Sequence, residues 1–127
     1  MVLSAYTKEW ILKAEEDYQT VIILFRQKKK LLPDVICFHA HQCAEKYLKS
    51  LLAKTNKRIP KTHDLLFLIE ELKKVVPDLE LIRDILRELN RYSVISRYPG
   101  DKATKEEARL AVKQLKQVRE FLETKLI

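Results

Sequence analysis

The stretch DVICFHAHQCAEKYLKSLLAK, residues 34–54, decides the fold. Ile36, Ala40, Ala44, Tyr47, Leu48 and Leu51 recur at the spacing of one helix face. The other faces of the same helix are polar. Phe38, Gln42, Glu45 and Lys49 form one stripe, and His39, Cys43, Lys46 and Ser50 form the stripe beside it. Pro33 sits just before the run, and Asp34 offers cap chemistry at its start. A helix from Asp34 to Lys54 follows.

Working outward, four more segments show the same period. Before it, Trp10, Ala14, Asp17, Tyr18, Val21, Leu24 and Phe25 predict a helix over about residues 7–27, closed by the cations Lys28, Lys29 and Lys30. After it, Thr62 or Asp64 opens a third helix carrying Leu65, Leu68, Ile69, Leu72 and Val76. Pro77 and Asp78 close that helix and open a fourth, with Ile82, Ile85, Leu86, Leu89 and Tyr92. Thr104 and Glu107 form a capping box for a fifth, built on Ala108, Ala111, Leu115, Val118, Leu122 and Leu126. The fold class expected is all-α, an up-and-down bundle of four to five helices. Helices one, two and five should make the long core.

Composition agrees. The chain has 127 residues, with one glycine and four prolines. So few turn formers exclude a many-stranded sheet. The length suits a single domain over residues 1–127, and nothing in the sequence marks a linker or repeat. Hydrophobic residues at 46% exclude a disordered chain. The longest apolar runs, Val21–Phe25 and Val35–Phe38, are too short to span a bilayer. Residues 1–10 lack the apolar run of a secretory signal. Cys37 and Cys43 stand about 120° apart on one helix and cannot bridge. They read as small buried groups of a cytoplasmic protein kept reduced.

The net charge is +7. Such a surface attracts phosphates, nucleic acid or an acidic partner, and the 18 interspersed acids exclude a polybasic arm. Two readings stay open for the polar stripes of helix two. One is a ligand-binding face bearing Gln42, Glu45, Lys46 and Lys49. The other is an exposed, solvated face with an internal Glu45–Lys49 pair worth a few tenths of a kcal/mol. His39 and His41 are two residues apart and lack the i, i+4 spacing of a helical zinc site, so neither metal nor cofactor is expected. His63 stands at a helix start, as a capping-region residue or a ligand. In the loop before helix five, Arg97 can hold a phosphate and Tyr98 can stack on a base. The alternative there is a rigid turn in which Arg97 pairs with Asp101.

These motifs together resemble the HEPN family. Trp10, Ala14 and Asp17 resemble its opening, and Cys37 through Leu52 looks like its signature helix: an aromatic, a small run, Gln, then small-Glu-Lys and a second Lys. Pro60 through Leu65, and Arg97-Tyr98-Pro99 followed by Asp101, resemble the motifs that come after. The resemblance implies a helical bundle that forms a homodimer, works beside a minimal nucleotidyltransferase, often as a toxin–antitoxin pair, and binds nucleotide or RNA. It also implies a ligand site made by Gln42, Glu45, Lys46, Lys49, His63, Arg97 and Tyr98. Some members of the family are metal-independent RNases that use an Arg followed, after four to six residues, by a His. Here Tyr98 through Ala103 supply no His after Arg97, and all three histidines lie upstream. A non-catalytic binding and pairing module is therefore the leading expectation. The alternatives are a divergent endoribonuclease and a purely structural helical dimer.

Overall fold

The structure is a computed structural model, and it describes residues 2–27, 29–94 and 99–126. Among these residues there are five α-helices and no strand: α1 Ala5–Arg26, α2 Pro33–Lys54, α3 Leu65–Leu72, α4 Arg83–Leu89 and α5 Lys105–Leu126. Two short 3₁₀ turns, Pro77–Ile82 and Asn90–Tyr92, flank α4. The all-helical bundle expected from the periodicity is the observed fold.

Local chemistry sets most of the boundaries. Helix α1 begins at Ala5, two residues before the expected start, because Ser4 Oγ accepts the Thr7 amide at 3.1 Å. Asp64 Oδ1 caps α3 by accepting the Leu66 amide at 3.0 Å. The capping box of α5 forms as expected. Thr104 Oγ1 accepts the Glu107 amide and Glu107 Oε1 accepts the Thr104 amide, both at 3.0 Å. Asp34 does not cap α2. Pro33 occupies the first turn, where a missing N–H costs nothing. The Asp34 carboxylate instead accepts the Ala103 amide at 2.7 Å and joins the starts of α2 and α5. Helix α2 ends on Asn56 at φ 57°, with Asn56 N–H on the Ala53 carbonyl and Lys57 N–H on the Leu52 carbonyl. Asparagine thus fills the left-handed position usually given to glycine. Helix α3 stops at Leu72 rather than reaching Val76, and the expected fourth helix divides into the 3₁₀ turn Pro77–Ile82 and α4.

Helix α2 lies at the centre, packed against α1 on one side and α5 on another. Its apolar stripe is buried throughout: Ile36, Ala40, Ala44, Tyr47, Leu48 and Leu51. From α5 come Ala108, Ala111, Leu115, Val118 and Leu122, and from α3 and α4 come Leu65, Leu68, Leu86 and Leu89. No helix among the described residues is long and apolar enough to cross a membrane.

Candidate functional site

The polar stripes of α2 are not a solvated face. His41, Glu45, Lys49 and Ser50 are all buried, with Glu45 3% and Lys49 6% exposed. Helix α1 covers them from one side and residues 59–64 from another. Buried charges must be paired, and here each finds a partner.

Two carboxylates organise the site. Glu45, on α2, holds two side chains. Lys49 Nζ donates to Glu45 Oε2 at 2.9 Å, one helical turn away. His63 Nδ1, from the segment before α3, donates to Glu45 Oε1 at 2.8 Å. Lys49 also lies over the Trp10 ring of α1, 5.7 Å from its centroid, where the ring face favours a cation. Asp17, on α1, holds the second set. His39 Nδ1 donates to Asp17 Oδ1 at 2.9 Å, and Lys46 Nζ donates to Asp17 Oδ2 at 2.5 Å. Next to it, Cys43 Sγ donates to the Ala14 carbonyl at 3.2 Å, marking the close approach of α1 and α2.

His41 sits in the interior between α2 and the start of α3. Its Nε2 donates to the His63 carbonyl at 2.8 Å, which fixes the backbone that carries the His63 ring towards Glu45. Burial pushes the His41 pKa below its ordinary value of 6.5, against the opposing pull of Glu45. This has a sign for stability. Below the ordinary value the unfolded chain takes up a proton at this histidine that the folded chain refuses, so stability falls as pH falls through that range. Thermal melting followed by circular dichroism between about pH 7.5 and about pH 5 should show the melting temperature dropping towards acid, with a shallower drop in His41→Gln. An unchanged slope in that variant would remove His41 as the cause.

Both thiols are held as thiols. Burial pushes Cys37 up to about 12 and Cys43 well above its ordinary value. Neither is an available nucleophile. Among the described residues, no three His, Cys, Asp or Glu groups are placed to hold a metal ion.

Of the residues singled out from sequence, the structure brings Glu45, Lys49 and His63 into direct contact. It gives Lys46 to Asp17 instead. Gln42 is half-buried on the same helix. Arg97 and Tyr98 lie outside the described residues, so the expected Arg97 clamp and its Asp101 alternative do too. The ends of that loop are described. Arg91 and Tyr92 both donate to Glu107 Oε2, at 3.1 and 3.2 Å. With Asp34, Asp101 and Lys102 they line a cavity of about 240 Å³.

Sequence reasoning left Asp17 out of the site, although a carboxylate inside the stripe Ala14–Asp17–Val21 signals a buried partner. It also missed a third polar set. Arg119, on α5, donates from Nη2 to Glu15 Oε1 at 2.8 Å and from Nε to the Tyr47 hydroxyl oxygen at 3.0 Å, and packs over the Tyr18 ring. Burial would raise the Glu15 pKa, but these hydrogen bonds pull it below the usual carboxylate value. No local pattern announces this set, since Glu15 and Arg119 are 104 residues apart.

Comparison with known proteins agrees with this architecture. The fold is shared with the crystal structure of TT1696 from Thermus thermophilus, at a TM-score of 0.82 and 22% identity, covering 97% of this chain and 100% of that one. At that identity the likeness speaks for the fold. No curated protein matches. The family model described as "HEPN domain" matches residues 7–125, nearly the whole length, and on that match the chain belongs to the HEPN family.

Proposed function

We propose that the chain is a non-catalytic HEPN module that binds nucleotide or RNA, pairs with a second copy of itself and works beside a minimal nucleotidyltransferase, as one half of a toxin–antitoxin pair. One observation carries the non-catalytic reading. All three histidines lie upstream, His39 and His41 on α2 and His63 just before α3. None follows Arg91 or Arg97 in the sequence, so neither arginine has the downstream general base that the RNase members use.

The ligand residues in this reading are those of α2 and its neighbour His63, together with Arg97 and Tyr98. The two lysines divide the work by exposure. Lys46, whose side chain is 25% exposed, can share its charge with a phosphate. Lys49, at 8%, serves by fixing Glu45, which in turn orients His63. Gln42 supplies an amide to the same face, Arg97 clamps the anion and Tyr98 stacks or donates its hydroxyl.

A specific observation favours the second reading, a divergent endoribonuclease. The Asp17–His39 pair holds an imidazole by Nδ1 while its side chain stays 29% exposed, the way a carboxylate orients a general base. A single preparation tests both. Purified chain incubated with RNA in chelator should leave the RNA intact, and light scattering should give the mass of two chains. Co-expression with a minimal nucleotidyltransferase should yield a complex. Cleavage that disappears in both His39→Ala and Arg97→Ala would replace the binding reading with the nuclease one.

A further inference from the structure

A second concave site lies where α1 ends and α5 begins, and it shares no residue with the α2 network. It is a pocket of about 500 Å³ lined by Lys29, Lys30, Lys105 and Arg109, with Phe25 and Leu31 as its apolar part. Gln27 completes the wall, and its Nε2 donates to the Lys30 carbonyl at 3.0 Å, which shapes the link between α1 and α2. Phe25 and Leu31 are half-buried and packed against the core, so the floor is fixed.

The charge here is out of balance. No carboxylate lines this pocket, whereas the cavity beside Arg91 sets Asp34, Asp101 and Glu107 against its cations. Among the described residues, the ion pair that reaches these cations is Arg109 with Glu106, at 3.8 Å, too long for a hydrogen bond. Lys105 and Arg109 are like charges one turn apart, an arrangement that repels. Lys105 also stands in the first turn of α5, where the helix dipole disfavours a cation. Lys105 and Arg109, placed against these local rules, face Lys29 and Lys30 around one pocket, and all four gain stability from a polyanion between them.

We propose that this pocket binds a chain of linked phosphates, three or more, such as the triphosphate of a nucleotide or free oligophosphate. Four cations, one partly offset by Glu106, match three to four negative charges better than they match one. Phe25 and Leu31 offer an apolar edge to whatever the phosphate chain carries, without which phosphate alone still binds.

Isothermal titration of the full chain with ATP, inorganic triphosphate, orthophosphate and adenosine tests this. ATP and triphosphate should both bind, orthophosphate much more weakly and adenosine not at all. Raising salt from about 50 mM to about 200 mM should weaken both. Lys105→Glu and Arg109→Glu should each lose about tenfold or more in affinity with an unchanged helical circular dichroism spectrum. Lys74→Glu, an exposed charge reversal away from the pocket, should bind like the parent. Binding of ATP equal to that of triphosphate assigns the site to phosphate alone, and tighter ATP binding assigns it to a nucleotide. Failure of triphosphate to bind, or an equal loss in Lys74→Glu, overturns the proposal. RNA cleavage by the chain would change the proposed function and leave this result untouched.

Discussion

Glu45→Ala is expected to destabilise the protein by about 3–5 kcal/mol, the cost of removing one partner from a buried ion pair. The size follows from which partner is stranded. The His63 side chain is 68% exposed, so on losing Glu45 it returns to water at little cost. The Lys49 side chain is 8% exposed and cannot follow. Its remaining favourable neighbour is the Trp10 ring, and a cation–π contact at 5.7 Å does not replace a carboxylate at 2.9 Å. The double variant Glu45→Leu/Lys49→Met should recover most of the loss, because an apolar pair of similar volume carries no desolvation penalty. Urea unfolding measures both, with the midpoint shifting and the slope unchanged. A loss under about 1 kcal/mol in Glu45→Ala would mean that Lys49 reaches solvent after all.

Tyr47→Ala should cost a similar amount for a different reason. Tyr47 is among the largest fully buried side chains, 1% exposed at the middle of α2. Removing a buried aromatic ring loses about 3–5 kcal/mol through transfer and cavity terms together. Tyr47→Phe separates the ring from its hydroxyl. That oxygen accepts from Arg119 Nε, but Arg119 keeps both its Glu15 contacts, so this variant should cost only about 1 kcal/mol. Equal losses in the two variants would place the energy in the Arg119–Glu15–Tyr47 hydrogen bonds rather than in packing. The same unfolding measurement distinguishes them.

The sequence shows clearly those features that are fixed within one or two turns. The α5 capping box, the Asp64 cap and the apolar stripes of α1, α2 and α5 depend on neighbours three or four residues away, and each stands as the spacing predicts. What spacing cannot show is what comes to lie over a face. Glu45 and Lys49 look the same in sequence whether water or α1 covers them, and the reading as a solvated pair failed for that reason. Asp34 carries cap chemistry, yet its carboxylate is drawn to an amide 69 residues away. The pairing of His63 with Glu45 was within reach, because both were named as members of one ligand site. Arg119 was not, because an arginine on an amphipathic helix of mixed charge is an ordinary surface residue until α1 is placed beside it.

The order in which residues leave the ribosome gives the α2 network a further meaning. Trp10, Asp17, His39, His41, Glu45, Lys46, Lys49 and His63 all belong to the first half of the chain. Every contact among them is available once residue 63 has emerged, while Arg119 and the whole apolar stripe of α5 are still to be made. Synthesis runs from the N-terminus, so these residues are all present before α5 exists. The charged cluster can thus hold α1 and α2 in register while the hydrophobic face of α2 still waits for α5. A chain ending at residue 63 would already hold every partner of these ion pairs and none of the apolar stripe of α5.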